Sequence, residues 1–370
     1  MQLSKLYFPR KTNLPDNLDE YKTSEVVEFL GIVEYPPKMS GFFNILPLGQ
    51  KVMRKLENIL INSAYNFNYQ EMHWPLLQRE KIWKQSGRIT EFGKDMIYTS
   101  QDYPGFVLSS AHEEYFTDNI ARNIQSSKEL PAIFFQMGYL FEKRKSRSII
   151  RSSEFPVFST YSLSEDEKQS KNNFKSNEEF YDQFFKGLGI KPLKIMDGET
   201  LHFVYPNQEG EHYIILKSIF EFASPSERKF SQKGLGLAMV RPLGTKYPCD
   251  FDVGIIKEGE SIHPCMETSA VGLTRLLFAI VDENRTSNGI RWPDSIRPYD
   301  VAIVPRILEN SDCFNYALRI YQEKIKRGES VVFDDLKHNR KKARDALGIP
   351  RSIIVGNKGN SRSIEEVLNE

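Results

Sequence analysis

The chain has 370 residues, 40% hydrophobic and 27% charged, with a formal net charge of +1. That is enough apolar material for two cores. Near-neutral overall charge excludes a partner chosen by bulk electrostatics, so any nucleic-acid surface has to be local. No apolar run approaches the roughly 20 residues of a membrane span, and the first ten residues, Met1-Gln-Leu-Ser-Lys-Leu-Tyr-Phe-Pro-Arg10, lack the apolar centre of a secretory signal. No membrane partner is therefore expected. The three cysteines, Cys249, Cys265 and Cys313, are odd in number, and no pair has zinc-knuckle spacing. This places the chain in a reducing, cytoplasmic compartment. His263 and Cys265 lie two apart near Cys249, but buried thiols in a sheet are the expectation there, with no metal site.

In chain order, residues 51–64 predict an amphipathic helix, with Val52, Leu56, Ile59 and Leu60 on one face. Residues 69–74 predict a strand that ends at Pro75, and residues 113–126 a second helix. Two strands, 134–141 and 153–161, are joined by the basic loop Lys143-Arg-Lys-Ser-Arg147. Residues 163–177 are rich in Ser, Lys, Asn and Glu and predict little order. A capping-box pattern, Ser176-Asn-Glu-Glu179, opens the next predicted helix, with Phe180, Phe184 and Leu188 behind it. Strands are expected over 212–221, 237–242 and 250–256, and an apolar helix carrying Arg275 over 268–281. Prolines at 293, 298 and 305 mark a boundary. Beyond it, 301–304, 313–328, 330–333, 339–347 and 352–355 alternate strand, helix, strand, helix, strand, the pattern of an α/β domain.

Several segments together resemble the bacterial-type prolyl-tRNA synthetases, members of the class IIa aminoacyl-tRNA synthetases. They are Ser40-Gly-Phe-Phe-Asn-Ile-Leu-Pro-Leu-Gly49, Glu80-Lys-Ile-Trp-Lys-Gln-Ser-Gly-Arg88, Ala111-His-Glu-Glu114, Arg151-Ser-Ser-Glu-Phe155, Leu243-Gly-Thr-Lys-Tyr247 and Asn288-Gly-Ile-Arg-Trp-Pro-Asp-Ser-Ile296. The resemblance covers almost the whole chain. It implies an α+β fold, with a class II catalytic domain on an antiparallel sheet over 1–296 and a small α/β anticodon-binding-like domain over 297–370. Only about 80 residues separate Phe155 from Gly236, so the large editing insertion of many bacterial prolyl enzymes is expected to be absent. The helix at 51–64 and strand at 69–74 resemble the first class II motif, which implies a homodimer.

The resemblance also locates a site, and there the chain departs from the family. The family's second motif, Phe-Arg-x-Glu, uses its arginine on the ATP α-phosphate and its glutamate on the adenine amine. Aligned forward from Lys128-Glu-Leu-Pro131, the match is Phe141-Glu-Lys-Arg144, with Glu142 in the arginine's place and Arg144 in the glutamate's. Aligned backward from Glu154-Phe155, Leu140 takes the arginine's place and Glu142 the glutamate's. A carboxylate about 4 Å from a phosphate charge costs on the order of 4 kcal/mol at an effective dielectric of about 20. A strand slip of two residues would bring Arg144 in instead. The family's Thr-x-Glu, which reads the proline imino group, stands here as Ala111-His-Glu113, without the hydroxyl. His112 and Glu113 have the alternative of being polar groups at a helix N-terminus. The family's Gly-x-Ser-His-Glu-Phe pocket segment has only Leu201-His-Phe-Val204 as a candidate. The glycine-rich third motif survives as Gly272 and Arg275, with Ser269 and Ala270 expected to add bulk on the nucleotide side.

The resemblance therefore implies catalytic roles for Glu142, Arg144 and Arg275. It implies nucleotide contacts from Arg144, Arg151, Gly272 and Arg275, and amino-acid contacts from Ala111 and Glu113. The segment Lys337-His-Asn-Arg-Lys-Lys-Ala-Arg344 places Arg340, Lys341, Lys342 and Arg344 within about a turn and a half of helix, a candidate tRNA surface or a solvated basic face. Three functions follow. The leading expectation is a synthetase-like paralogue with eroded ATP and proline sites that binds tRNA or a partner. The others are a working ligase for proline or another amino acid, using ATP with magnesium, and a ligase repurposed to a carrier or metabolite. Without activity, no cofactor is implied.

Overall fold

A large, mostly antiparallel sheet with helices along it organises the greater part of this chain. The computed structural model describes residues 1–7, 14–93, 98–99, 101–143, 148–216, 219–222, 231–309, 311–338 and 340–356. The chain divides into one unit of Met1–Tyr35, Asn44–Lys55 and Ile280–Glu370, and a larger one of Pro36–Phe43 and Leu56–Ala279.

The larger unit holds an eight-stranded sheet, counted among the described residues. In chain order its strands are β1 (Gln70–Glu71), β2 (Ala132–Phe141), β3 (Glu154–Ser164), β4 (Leu193–Asp197), β5 (Thr200–Leu216), β6 (Ile219–Phe222), β7 (Ser231–Gly244) and β8 (Cys265–Gly272). Their order across the sheet is β6-β4-β5-β7-β8-β3-β2-β1, with β6 also pairing with β5. All the central pairings are antiparallel. Four of the helices are α1 (Pro47–Asn66), α2 (Glu113–Asn119), α3 (Glu167–Gly187) and α4 (Leu273–Asn284), of which α1 up to Lys55 and α4 from Ile280 belong to the other unit. Along α1, three of the four residues of the predicted face, Val52, Leu56 and Leu60, are buried, and Ile59 is half-buried at its edge.

Register assigns the two faces of the sheet, because side chains alternate with period two. His202, Met239, Ala270, Ser159 and Gln136 are successive cross-strand partners and form one row. The neighbouring row runs Leu201, Val240, Ser269, Thr160 and Phe135 on the opposite face. That second face is the one α3 covers. Phe158 stacks between Phe135 and Phe180, with ring centroids 5.3 and 5.6 Å away, and Phe203 lies 5.4 Å from Phe185.

Several expectations do not hold. Residues 250–256 form no continuous strand, since Asp250 closes the helix Lys246–Asp250 and the strand there is only Ile255–Lys257. Cys249 is exposed in that helix and is not a buried thiol of a sheet, and the helix expected over 113–126 ends at Asn119. The stretch 163–177 is ordered: β3 runs to Ser164, and the Asp166 carboxylate caps α3 by accepting from Gln169 N at 2.9 Å. Its polar residues are the buried face of the helix, since Ser170, Asn173 and Asn177 meet a polar patch of the sheet. The Ser176 pattern lies inside α3 and starts no helix. Residues 268–272 are strand, hydrogen-bonded on both sides, and α4 begins only at Leu273. Ser269 consequently points away from the row containing Ala270, towards Thr160 Oγ1 at 2.7 Å and Tyr181 Oη at 3.0 Å.

The polar patch contains Glu267, 1% exposed, which accepts from Ser162 Oγ at 2.9 Å and Ser170 Oγ at 2.8 Å. Burial pushes its carboxyl up to about 7, with the two serine hydroxyls opposing the shift. A carboxyl raised in the folded state stabilises most below its unfolded value and loses that contribution as pH rises through its folded value. Stability is thus expected to fall by about 3 kcal/mol between pH 4.5 and pH 8 on this account alone. Glu267→Gln should flatten the dependence and be the more stable form at pH 8. Equal slopes in urea melts of the two proteins would refute the assignment.

In the other unit, β9 (Val301–Pro305), α5 (Ser311–Lys326), β10 (Val331–Phe333), α6 (Arg340–Leu347) and β11 (Arg351–Val355) follow the predicted alternation. The strands are parallel in the order β10-β9-β11. Val301, Ile303, Ala317, Ile320, Val331 and Phe333 form the core between sheet and α5.

Candidate active site

The open face of the large sheet carries a cavity of about 370 Å³. The row His202, Met239, Ala270 and Ser159 lines it, together with Tyr161 and Thr268 from the same strands. Six residues singled out in the sequence lie along its walls: Ala111, Glu113, Glu142, Arg151, Gly272 and Arg275. They come from segments up to 164 positions apart (275 minus 111). Arg144 lies outside the described residues.

At one end Arg88 lies against two glutamates of α2. Its Nη1 is 2.7 Å from Glu113 Oε2 and 3.4 Å from Glu114 Oε2. Gly87, with φ of +77°, makes the turn from helix Glu80–Gln85 to helix Arg88–Phe92 that delivers this guanidinium. Burial alone would raise the Glu113 carboxyl, but Arg88 overrides it and holds Glu113 below the ordinary range. Glu114 goes the other way: burial raises it, against Arg88, and the charge of Glu113 adds to the rise. It accepts from Ser86 Oγ at 2.9 Å. This end of the cavity therefore offers an ionised carboxylate anchored from behind. His112, just ahead of them in the chain, is buried, and burial lowers its imidazole to about 4, so it is neutral at physiological pH.

The opposite character appears around Arg275. From the first turn of α4 its Nε donates to Ile150 O at 3.0 Å and its Nη1 to Gly236 O at 3.2 Å. Two carbonyls from different segments thus hold the guanidinium at the cavity wall. Arg151 follows Ile150 at the end of a short 3-10 turn and also lines the cavity. A Cβ on Gly272 would meet nothing within 4 Å, so the absence of a side chain there leaves open space. Leu140 and Glu142, two apart on β2 and its extension, line the cavity as well. The Glu142 amide donates to Ser153 O at 2.8 Å. An anionic pole, a cationic pole and a cavity spanning them suit a ligand with an ammonium at one end and phosphates at the other.

Sequence reasoning gave Arg88 no role, although it lies in a quoted segment. The available signal was the pair Glu113-Glu114 ahead of an apolar helix, since buried carboxylates need a cation. His202, from the weak candidate segment, does line the cavity, and burial lowers its imidazole. The four basic residues of α6 belong to the other unit and divide into two kinds. Arg340 and Arg344 both pair with Asp334, which is fully buried. Lys341 is exposed, and Lys342 pairs with the exposed Asp16 at 2.8 Å. Among the described residues no group of three or more His, Cys, Asp or Glu could hold a metal ion, and no helix is long and apolar enough to cross a membrane.

This fold is that of a class II aminoacyl-tRNA synthetase core. Residues 98–284 match the family described as tRNA synthetase class II core domain (G, H, P, S and T), and the chain belongs to that family. It is similar in particular to proline–tRNA ligases. That of Anaplasma marginale (strain St. Maries) is 29% identical over 374 residues, covering 89% of this chain and 87% of the relative. That of Ehrlichia ruminantium (strain Gardel) is 25% identical over 409 residues, covering 99% and 95%. Among solved structures, the prolyl-tRNA synthetase of Giardia lamblia in complex with prolyl-adenylate superposes with a TM-score of 0.76 at 16% identity, over 93% of this chain and 70% of that one. The enzyme of Cryptosporidium parvum complexed with halofuginone and AMPPNP gives 0.76 at 15% identity, over 95% and 72%. At those identities the structures establish the shared fold: a mostly antiparallel catalytic sheet with flanking helices, followed by the anticodon-binding type of α/β unit.

Proposed function

We propose that the chain is an ATP-dependent ligase that activates an amino acid, of the prolyl-tRNA synthetase type, and transfers it to tRNA. The observation that carries the reading is the single cavity with Glu113 and Arg88 at one end and Arg275 and Arg151 at the other. Glu113 suits the substrate's amino group. Arg275 and Arg151 suit the nucleotide phosphates, because a planar guanidinium matches phosphate oxygens. Glu142 then serves as acceptor for the adenine amine, the role that a glutamate has in the family's second motif. Magnesium would arrive with the phosphates of the nucleotide. The 1–296 and 297–370 division, the missing editing insertion and a homodimer through 41–60 and 69–75 belong to the same proposal. Light scattering should return twice the 42.9 kDa chain mass.

The test is ATP–pyrophosphate exchange with each of the twenty amino acids. Exchange that depends on one of them is expected. A second reading, a paralogue that binds tRNA without activating an amino acid, is favoured by Leu140 and Glu142 facing the cavity where the family has arginine. Absence of exchange with all twenty, together with retained tRNA binding, would select it.

For tRNA, Lys341 and Lys342 are the proposed phosphate contacts of α6. Lys341→Ala with Lys342→Ala should weaken binding of all tRNAs alike and reduce the salt slope by about two charges. Arg340→Ala or Arg344→Ala should instead lower stability, because each exposes the buried Asp334 carboxylate to loss of its partner. Filter binding at several salt concentrations separates these outcomes, and an unchanged slope in the lysine variant would remove α6 from the interface.

A further inference from the structure

We infer that Ser110 supplies the hydroxyl that reads the substrate's amino group, in place of the threonine whose position is taken by Ala111. The inference rests on the proposed amino-acid activation and adds a residue to it.

Ser110 lines the cavity next to Ala111 and Glu113 and is 5% exposed. Its hydroxyl is buried and makes no hydrogen bond among the described residues. The preceding Ser109 contrasts with it, since its hydroxyl donates to the Ala111 carbonyl. The loop itself is fixed: Ser109 N donates to Leu76 O at 2.8 Å, and Ser109 O accepts from Phe141 N at 2.8 Å. Ser110 is therefore held at the end of β2, close in the chain to Glu113 and close in space to the Phe141–Glu142 backbone. A buried hydroxyl without a partner is unfavourable and uncommon. A serine side chain has three staggered positions and can turn towards an incoming group at little cost. Glu113 Oε2 already accepts from Arg88, and the Ser110 oxygen is an unused acceptor lining the same cavity, open to an N–H of an incoming ammonium. Ala111 has no polar atom to do this.

The probes are the twenty amino acids and, for whichever raises the melting temperature most in the presence of ATP, its analogue lacking the amine. Ser110→Ala should weaken binding of the amino acid by about tenfold or more, the size of one hydrogen bond to a charged group. Binding of the amine-free analogue should not change. Ser110→Ala combined with Ala111→Thr should restore the preference for the amine by returning a hydroxyl one position on. The melting temperature of the ligand-free variant should equal or exceed that of the native protein, since no hydrogen bond is removed. Equal amino-acid affinity in native protein and Ser110→Ala, or equal weakening of both probes, would overturn the inference while leaving amino-acid activation standing. No binding and no pyrophosphate exchange with any of the twenty would overturn both.

Discussion

Replacing Arg88 by methionine is expected to destabilise the protein by about 3–5 kcal/mol, the cost of leaving a buried charge without its partner. Against a total stability of roughly 5–15 kcal/mol for a folded domain this is a large fraction. The side chains of Arg88, Glu113 and Glu114 are 11%, 5% and 0% exposed, so solvent cannot replace the guanidinium. Without it, the Glu113 carboxyl should move from below its ordinary range to above it, joining Glu114. The variant's deficit should then be largest at neutral pH and shrink towards pH 5, as both carboxyls take up protons. Arg88→Met with Glu113→Gln and Glu114→Gln should recover a good part of the loss, while losing the anionic pole and with it amino-acid binding. Urea melts at pH 5 and pH 7.5 check all of this. A loss under about 1 kcal/mol, typical of an exposed pair, would mean that the pair is solvated.

Arg275→Ala should lower amino-acid-dependent pyrophosphate exchange by on the order of 10²-fold, as removal of a preorganised charge facing developing negative charge does. The loss should appear with weaker nucleotide binding in calorimetry and with little change in amino-acid binding. The fold should be nearly unaffected, because Arg275 donates to two carbonyls at the cavity wall, Ile150 and Gly236, which water can reach once the side chain is gone. Arg275→Lys should fail almost as badly. A lysine has no planar fork with which to hold two carbonyls and still present a charge to the cavity. Unchanged nucleotide affinity in Arg275→Ala would withdraw the phosphate assignment and leave Arg275 as a structural tie.

The alternation of β9, α5, β10, α6 and β11 was legible in the sequence because β9 and β10 are short, wholly buried apolar runs set between amphipathic helices. Val301, Ile303, Val331 and Phe333 announce strands, and the helices between them are amphipathic. The pair β2 and β3 was legible as two runs rich in aromatic and β-branched residues. The resemblance of short segments was enough to bring Ala111, Glu113, Glu142, Arg151, Gly272 and Arg275 to one place, and all six line the cavity. Where polar residues are buried, local pattern misleads. Residues 163–177 have the composition of a solvated stretch, yet Ser170, Asn173 and Asn177 are buried, because the strands opposite carry Ser162, Ser164, Glu267 and Ser269. Complementarity of two polar faces is a property of the pair and has no signature in either partner alone. The same holds for 268–272, Thr-Ser-Ala-Val-Gly, equally compatible with helix and strand until β3 and β7 supply hydrogen bonds on both sides. That choice decided that Ala270 faces the cavity and Ser269 does not. Arg88 and Ser110 were beyond the sequence for a related reason. An arginine becomes a site residue only when two carboxylates distant in the chain close on it, and a serine only when the fold leaves its buried hydroxyl without a partner at a cavity wall.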